Sequence, residues 1–112
     1  MKYKLLKFIN TNEGHIEPKC LVINNYESYL NNGIYVKDFI IDESYFINNN
    51  LLLLIFYGGS VPKRQINNVS INNDTYIIET NLSDITFSSM DLRRHVFLIE
   101  VSNQNINKCE YK

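Results

Sequence analysis

Alanine and tryptophan are absent from this chain of 112 residues; glycine occurs four times, and proline and cysteine twice each. Without alanine the strongest helix former is missing. Fifteen isoleucines, eight tyrosines and six phenylalanines tilt the propensities toward strand. The scarcity of Pro and Gly excludes a collagen-like or low-complexity segment. Two cysteines are too few for the dense framework of small secreted domains, and no Cys or His pairing has the spacing of a zinc site. No apolar stretch approaches the roughly 20 residues that a membrane-crossing helix needs. Neither charge dominates: eleven Lys and Arg stand against twelve Asp and Glu, for a net charge of −1. A protein that depends on phosphate contacts normally shows a strong basic excess, so nucleic-acid binding is not favoured, although local basic patches remain compatible with it.

What the chain has in excess is asparagine, with seventeen copies. Asn, Ile, Lys and Tyr share AT-rich codons, so the composition reads first as an AT-rich genome, that of a bacterium, a mobile element or a phage. The three Asn-x-Ser/Thr matches at Asn68, Asn73 and Asn81 are expected by chance at this asparagine content. The length suits one domain with one core, residues 1–112, and the mix of hydrophobic and charged residues is that of a globular chain. The first ten residues lack the apolar core and small-residue cleavage site of a secretory signal, and Cys20 does not follow an apolar run. The expected location is therefore cytoplasmic. In a reducing cytosol Cys20 and Cys109 default to free thiols, packed as small hydrophobes; a bridge between them would require strands from the two ends of the chain to be neighbours.

The stretch Leu51-Leu-Leu-Leu-Ile-Phe-Tyr57 organises the rest. A half-exposed strand alternates apolar and polar residues, because successive side chains point to opposite faces. This run does not alternate, which predicts a central strand covered on both sides. His95-Val-Phe-Leu-Ile-Glu-Val101 reads as a second strong strand, with Val96, Leu98 and Glu100 on one face and Phe97, Ile99 and Val101 on the other. Residues 3–9 fit a strand or a short helix, and Cys20–Ile23 a compact strand. Asn24 is the expected N-cap of a two-turn helix, with Glu27 in a capping-box position and Gly33 as its stop. Ile34–Phe39 fits a brief edge strand, and Asp42 the cap of a helical turn before the central strand. Gly58-Gly-Ser60 is the expected exit turn. Residues 65–72 and 75–80 form a hairpin through Asn72-Asn-Asp74. Asn81–Asp84 reads as a further turn, Ile85 and Phe87 as a short apolar alternation and Ser88–Arg94 as a loop or one helical turn; a polar tail follows Val101. The fold class is mainly β, a small antiparallel sheet or sandwich (a meander in the simplest form) with one or two short helices; an α+β arrangement is the alternative.

Ile23-Asn-Asn-Tyr-Glu-Ser-Tyr-Leu30, Asp42-Glu-Ser-Tyr-Phe46, the aliphatic run at 51–55, Gly59-Ser60 and the closing stretch Ser89–Val101 together resemble a group of small bacterial proteins. That group is common in Gram-positive bacteria and is similar to the C-terminal domain of the protease-complex-stabilising type. The resemblance covers about residues 20–102. It implies a small β-rich domain and supplies no catalytic residues. The group's Trp before the last strand is missing here, where Met90-Asp-Leu-Arg-Arg94 stands, and so is the secretion signal that many members carry.

Polar constellations are sparse. Ser89, Asp91 and His95 are triad residue types, but triads assemble in space from distant segments, and three in one stretch read as a loop. His15 between Glu13 and Glu17 reads as a solvated turn. Asp38, Asp42 and Glu43 form an acidic corner that a helix N-terminus explains. Gly58-Gly-Ser-Val-Pro-Lys-Arg64 lacks the ending of a phosphate loop. Glu100, on a strand apolar on both faces, must lie at an edge or find a cationic partner. The reading is a non-enzymatic module, without cofactor or metal, that binds a protein partner, as an immunity-type protein or a phage or mobile-element inhibitor does. The expected contacts are Lys63, Arg64, Arg93 and Arg94 together with exposed tyrosines, since Tyr and Arg dominate interface energetics. A small β domain that binds nucleic acid is the alternative. Association of copies through an edge strand is compatible with either reading.

Overall fold

A computed structural model describes residues 2–11, 17–33, 39, 41–59, 65–80 and 92–112. Among the described residues seven strands form two sheets: β1 (Tyr3–Thr11), β2 (Lys19–Ile23), β3 (Asn49–Gly59), β4 (Ile66–Asn72), β5 (Thr75–Thr80), β6 (Leu92–Ser102) and β7 (Lys108–Tyr111). The helices described, α1 (Tyr26–Asn31) and α2 (Tyr45–Asn48), are short and lie between β2 and β3. The larger sheet is antiparallel in the order β1-β6-β3-β2; the smaller has the order β4-β5-β7, with β7 parallel to β5. The fold is thus mainly β, but not a meander.

β3 shows why the apolar run does not alternate. Leu52, Leu54 and Phe56 face the smaller sheet, in a core with Val69, Tyr76, Ile78, Phe97, Ile99, Val101 and Ile106. Leu51, Leu53 and Ile55 face the helices, in a second core with Ile23, Tyr29, Phe46, Val96 and Leu98. Sheet on one side and helices on the other leave Leu51–Ile55 without exposed surface. The two faces of β6 divide as the period of two requires. Each fully buried aliphatic side chain contributes about 1.5–3 kcal/mol, so these two strands supply much of the driving force.

Local signals set the boundaries. The side chain of Asn25, not Asn24, caps α1 by accepting a hydrogen bond from the Ser28 amide at 2.8 Å. Asn24 instead accepts from the Asn25 amide group; both residues are chemically fit to cap, and the backbone chooses the second. At α2 the cap position falls on Ser44, while the Asp42 carboxylate accepts from the Ser44 hydroxyl (2.6 Å) and the Tyr45 amide (3.3 Å). Those bonds hold the Asp42 pKa below its usual value, the Ser44 hydroxyl being the main cause, and account for the acid without a cation. The β4–β5 hairpin turns through Asn73 and Asp74, both at positive φ (50° and 64°), the geometry of a type I′ turn.

Four expectations need correction. β3 starts at Asn49 and runs on through Gly58 and Gly59, which pair with Arg93 and Leu92, so no turn begins at Gly58. Residues 92–94 belong to β6 rather than to a loop. The polar tail contains β7, whose exposed pattern gave no strand signal. Finally, Cys20 and Cys109, 5.8 Å apart between Cα atoms, form a disulfide that ties β2 to β7 across the two sheets; the ends of the chain are neighbours after all. The strand expected at 34–39 and the turns at 81–91 lie outside the described residues, apart from Phe39, which is in a bend. No helix among the described residues is long and apolar enough to cross a membrane.

Candidate functional site

The polar features gather at the end of the larger sheet where β1 begins, β3 begins and β6 ends. Lys2, Tyr3, Lys4, Asn49, Glu100, Val101 and Ser102 line a shallow cleft of about 450 Å³ there. Lys4 lies opposite Glu100 on the β1–β6 ladder, and Asn49 lies opposite Ser102 on the β3–β6 ladder. The strand period places Lys4, Asn49, Glu100 and Ser102 on the helical face. From that face the Tyr45 hydroxyl of α2 donates to a Glu100 carboxylate oxygen at 2.6 Å. Glu100 is therefore neither at an edge, since β6 runs between β1 and β3, nor held by a cation in its hydrogen bond. Its partner is a neutral phenol 55 residues earlier in the chain.

This pair is suited to holding rather than reacting. Burial, followed by the bond to Glu100 and its charge, drives the Tyr45 pKa well above its usual value of 10.0. General acid–base catalysis works best with a pKa near the operating pH, and this shift moves away from it. The sign for stability follows. Above pH 10 an unfolded tyrosine loses its proton while the folded one keeps it, so the folded state binds more protons and stability falls as pH rises. Tyr45→Phe is expected to flatten that alkaline slope and to cost about 1–2 kcal/mol near neutral pH, because it removes a charge-assisted bond; urea titrations at pH 7 and pH 10.5 check both.

A second polar relay closes the sandwich at the same end. Asn50, fully buried, donates to the Tyr76 hydroxyl (3.2 Å), which donates to the Ser102 carbonyl (2.9 Å). Asn103 donates to the Phe46 carbonyl at 2.8 Å, pinning α2 to the segment that leads into β7. Tyr76→Phe strands Asn50 and the Ser102 carbonyl without the hydroxyl, and a loss of about 1–3 kcal/mol is expected, readable as a lower urea midpoint.

Leu5, Leu21, Ile71 and Tyr111 are exposed on the strands, but the two most exposed large apolar side chains among the described residues lie on the helices. Asn24, Asn25, Tyr26, Glu43, Phe46 and Ile47 line a groove of about 350 Å³ between α1 and α2. Beside it Ile47 is 72% exposed, and Leu30, one turn beyond Tyr26, is 57% exposed.

The expected contact residues do not assemble in the same way. Lys63 and Arg64 lie outside the described residues. Arg93 and Arg94 are half-buried strand residues opposite Gly58 and Tyr57 of β3. As neighbours on one strand they project to opposite faces, Arg94 to the helices and Arg93 to the smaller sheet, so the two cannot share one patch. His95 is buried and stacks on Phe8 with ring centroids 5.9 Å apart; Ser89 and Asp91 lie outside the described residues. No group of His, Cys, Asp and Glu suited to a metal occurs among the described residues. The sequence marks Glu100 as anomalous but holds no signal for its partner Tyr45, nor for the exposure of Ile47 and Leu30. No family model, curated protein or solved structure matches the chain.

Proposed function

We propose that the chain is a non-enzymatic module that binds a protein partner through its helical layer. The observation that supports this most directly is the exposure of Ile47 and Leu30 beside the groove floored by Tyr26 and Phe46. Aliphatic and aromatic side chains grouped at a groove are the material of an interface core, with the Asn and Glu43 side chains as its polar rim. The sequence named exposed tyrosines together with Lys63, Arg64, Arg93 and Arg94; Lys63 and Arg64 lie outside the described residues and Arg93 and Arg94 project to opposite faces, so we place the contact at the helical groove, which Tyr26 lines. A role as an immunity-type protein or a phage or mobile-element inhibitor, in which binding itself is the output, suits such a surface. We place the protein in the cytoplasm, as the sequence analysis expects; because disulfides persist mainly in oxidising compartments, the Cys20–Cys109 bridge is open to reduction there.

The test is affinity capture from an extract of the native host, with the wild type beside Ile47→Glu and Leu30→Glu. The expected result is a partner held by the wild type and lost by both variants, whose circular dichroism is unchanged. Equal recovery on wild type and variants, or no specific recovery by a monomeric wild type, rules the reading out.

A further inference from the structure

β7 is a weakly held strand at the edge of the smaller sheet, paired with the strongly apolar β5. It has four residues, and only Cys109 and Tyr111 turn toward the core: Cys109 packs against it, and the Tyr111 ring meets Phe56 edge-on at 4.9 Å. Its other links are the parallel ladder to β5 and the bonds of Lys112, whose amide donates to the Ile78 carbonyl (2.8 Å) and whose carbonyl accepts from the Thr80 amide (2.9 Å) and hydroxyl (2.6 Å). Beside it in the same sheet, β5 carries Tyr76, Ile77 and Ile78, all buried. Apart from the backbone connection from β6 through residues 103–107, the disulfide ties β7 covalently to the larger sheet, and both cysteines are partly exposed.

We propose that the Cys20–Cys109 bridge is a redox clamp on β7: reduction releases this strand and leaves the backbone edge of β5 unpaired, while the larger sheet stays folded. The reductant is a dithiol. One of its thiolates attacks a cysteine sulfur, the S–S bond breaks, and the other cysteine leaves and takes up a proton. The second thiolate of the reductant then attacks the mixed disulfide and releases the first cysteine. Two electrons and two protons pass to the protein, and the reductant ends as its own cyclic disulfide. A short strand with two core contacts belongs to the low-stability end of a structure once it is no longer tethered, whereas β3 and β6 keep both of their covered faces.

The experiment compares the air-oxidised chain with the same chain in dithiothreitol, by amide NMR and by carboxypeptidase digestion. On reduction the amides of residues 108–112 are expected to move to unstructured shifts while those of β3 and β6 stay dispersed. Removal of Lys112 and Tyr111 is expected to accelerate about tenfold or more, as for a locally opened segment. The double variant Cys20→Ser, Cys109→Ser is expected to match the reduced chain without reductant, and Tyr111→Ala in the oxidised chain to keep β7 docked. Unchanged β7 shifts after verified reduction, loss of dispersion in all strands together, or two free thiols in the air-oxidised chain would each overturn the proposal.

Discussion

Leu53→Asp is expected to yield no folded protein. Leu53 has no exposed surface and sits between Leu21 of β2 and Leu98 of β6 in the ladder. Its side chain enters the core that β3 shares with α1 and α2. A carboxylate there has neither water nor a cation, and the effective penalty for burying an unpaired ion is several kcal/mol. Protonating it only exchanges that penalty for an unsatisfied polar group and a lost aliphatic contact. Domains of this kind retain about 5–15 kcal/mol in total, so one such substitution removes most or all of it. Leu53→Ala sets the scale without a charge: a cavity at this position is expected to cost about 2–5 kcal/mol and to leave a weakened but cooperative fold. Soluble yield, circular dichroism and a urea titration separate the two variants. A soluble Leu53→Asp protein unfolding at the wild-type midpoint would contradict the two-sided burial of β3.

The second large effect concerns the bridge. Cys20 and Cys109 are 89 residues apart in sequence, so their bond closes most of the chain into one loop. On the chain-entropy account the unfolded ensemble loses freedom with the logarithm of loop length, and a loop of this size is worth roughly 4–5 kcal/mol, an upper figure because unfolded chains keep some structure. The double serine variant is therefore expected to unfold at a clearly lower guanidinium midpoint than the oxidised wild type, with wild type in reductant close to the variant. Equal midpoints for oxidised and reduced protein would show that the bond does not form in solution.

How much of this could be read from the chain depended on the range of the interaction. The two-faced burial of β3 follows from seven residues and a period of two, and the hairpin at Asn73 and Asp74 from residues that tolerate positive φ. Both are local, and both were legible. The cap of α1 was displaced by one position because Asn24 and Asn25 carry the same chemistry. β7 escaped because Lys108-Cys-Glu-Tyr111 has no apolar alternation; it is a strand only because β5 offers it an edge. The start of β6 was misplaced because charged Arg93 and Arg94 resemble a strand's boundary, whereas the extended Gly58 and Gly59 opposite prolong the ladder. At the polar site Glu100 was conspicuous, but its partner depends on where α2 sits. Pairings across 55 or 89 residues leave no local trace.

The order β1-β6-β3-β2 also governs how the molecule must come into being. Among the described strands, the β4–β5 hairpin alone joins neighbours through a two-residue turn, and hairpins close in about 1–10 µs. Every pairing in the larger sheet waits for segments far apart in the chain, which places the molecule among slowly folding topologies, on the order of milliseconds to seconds. During that interval Leu51–Phe56, uncharged and wholly apolar, has neither its sheet nor its helices over it. Segments of that composition pair readily with copies of themselves. The strand that secures the finished protein is thus, until β6 arrives, the part of the chain most exposed to aggregation.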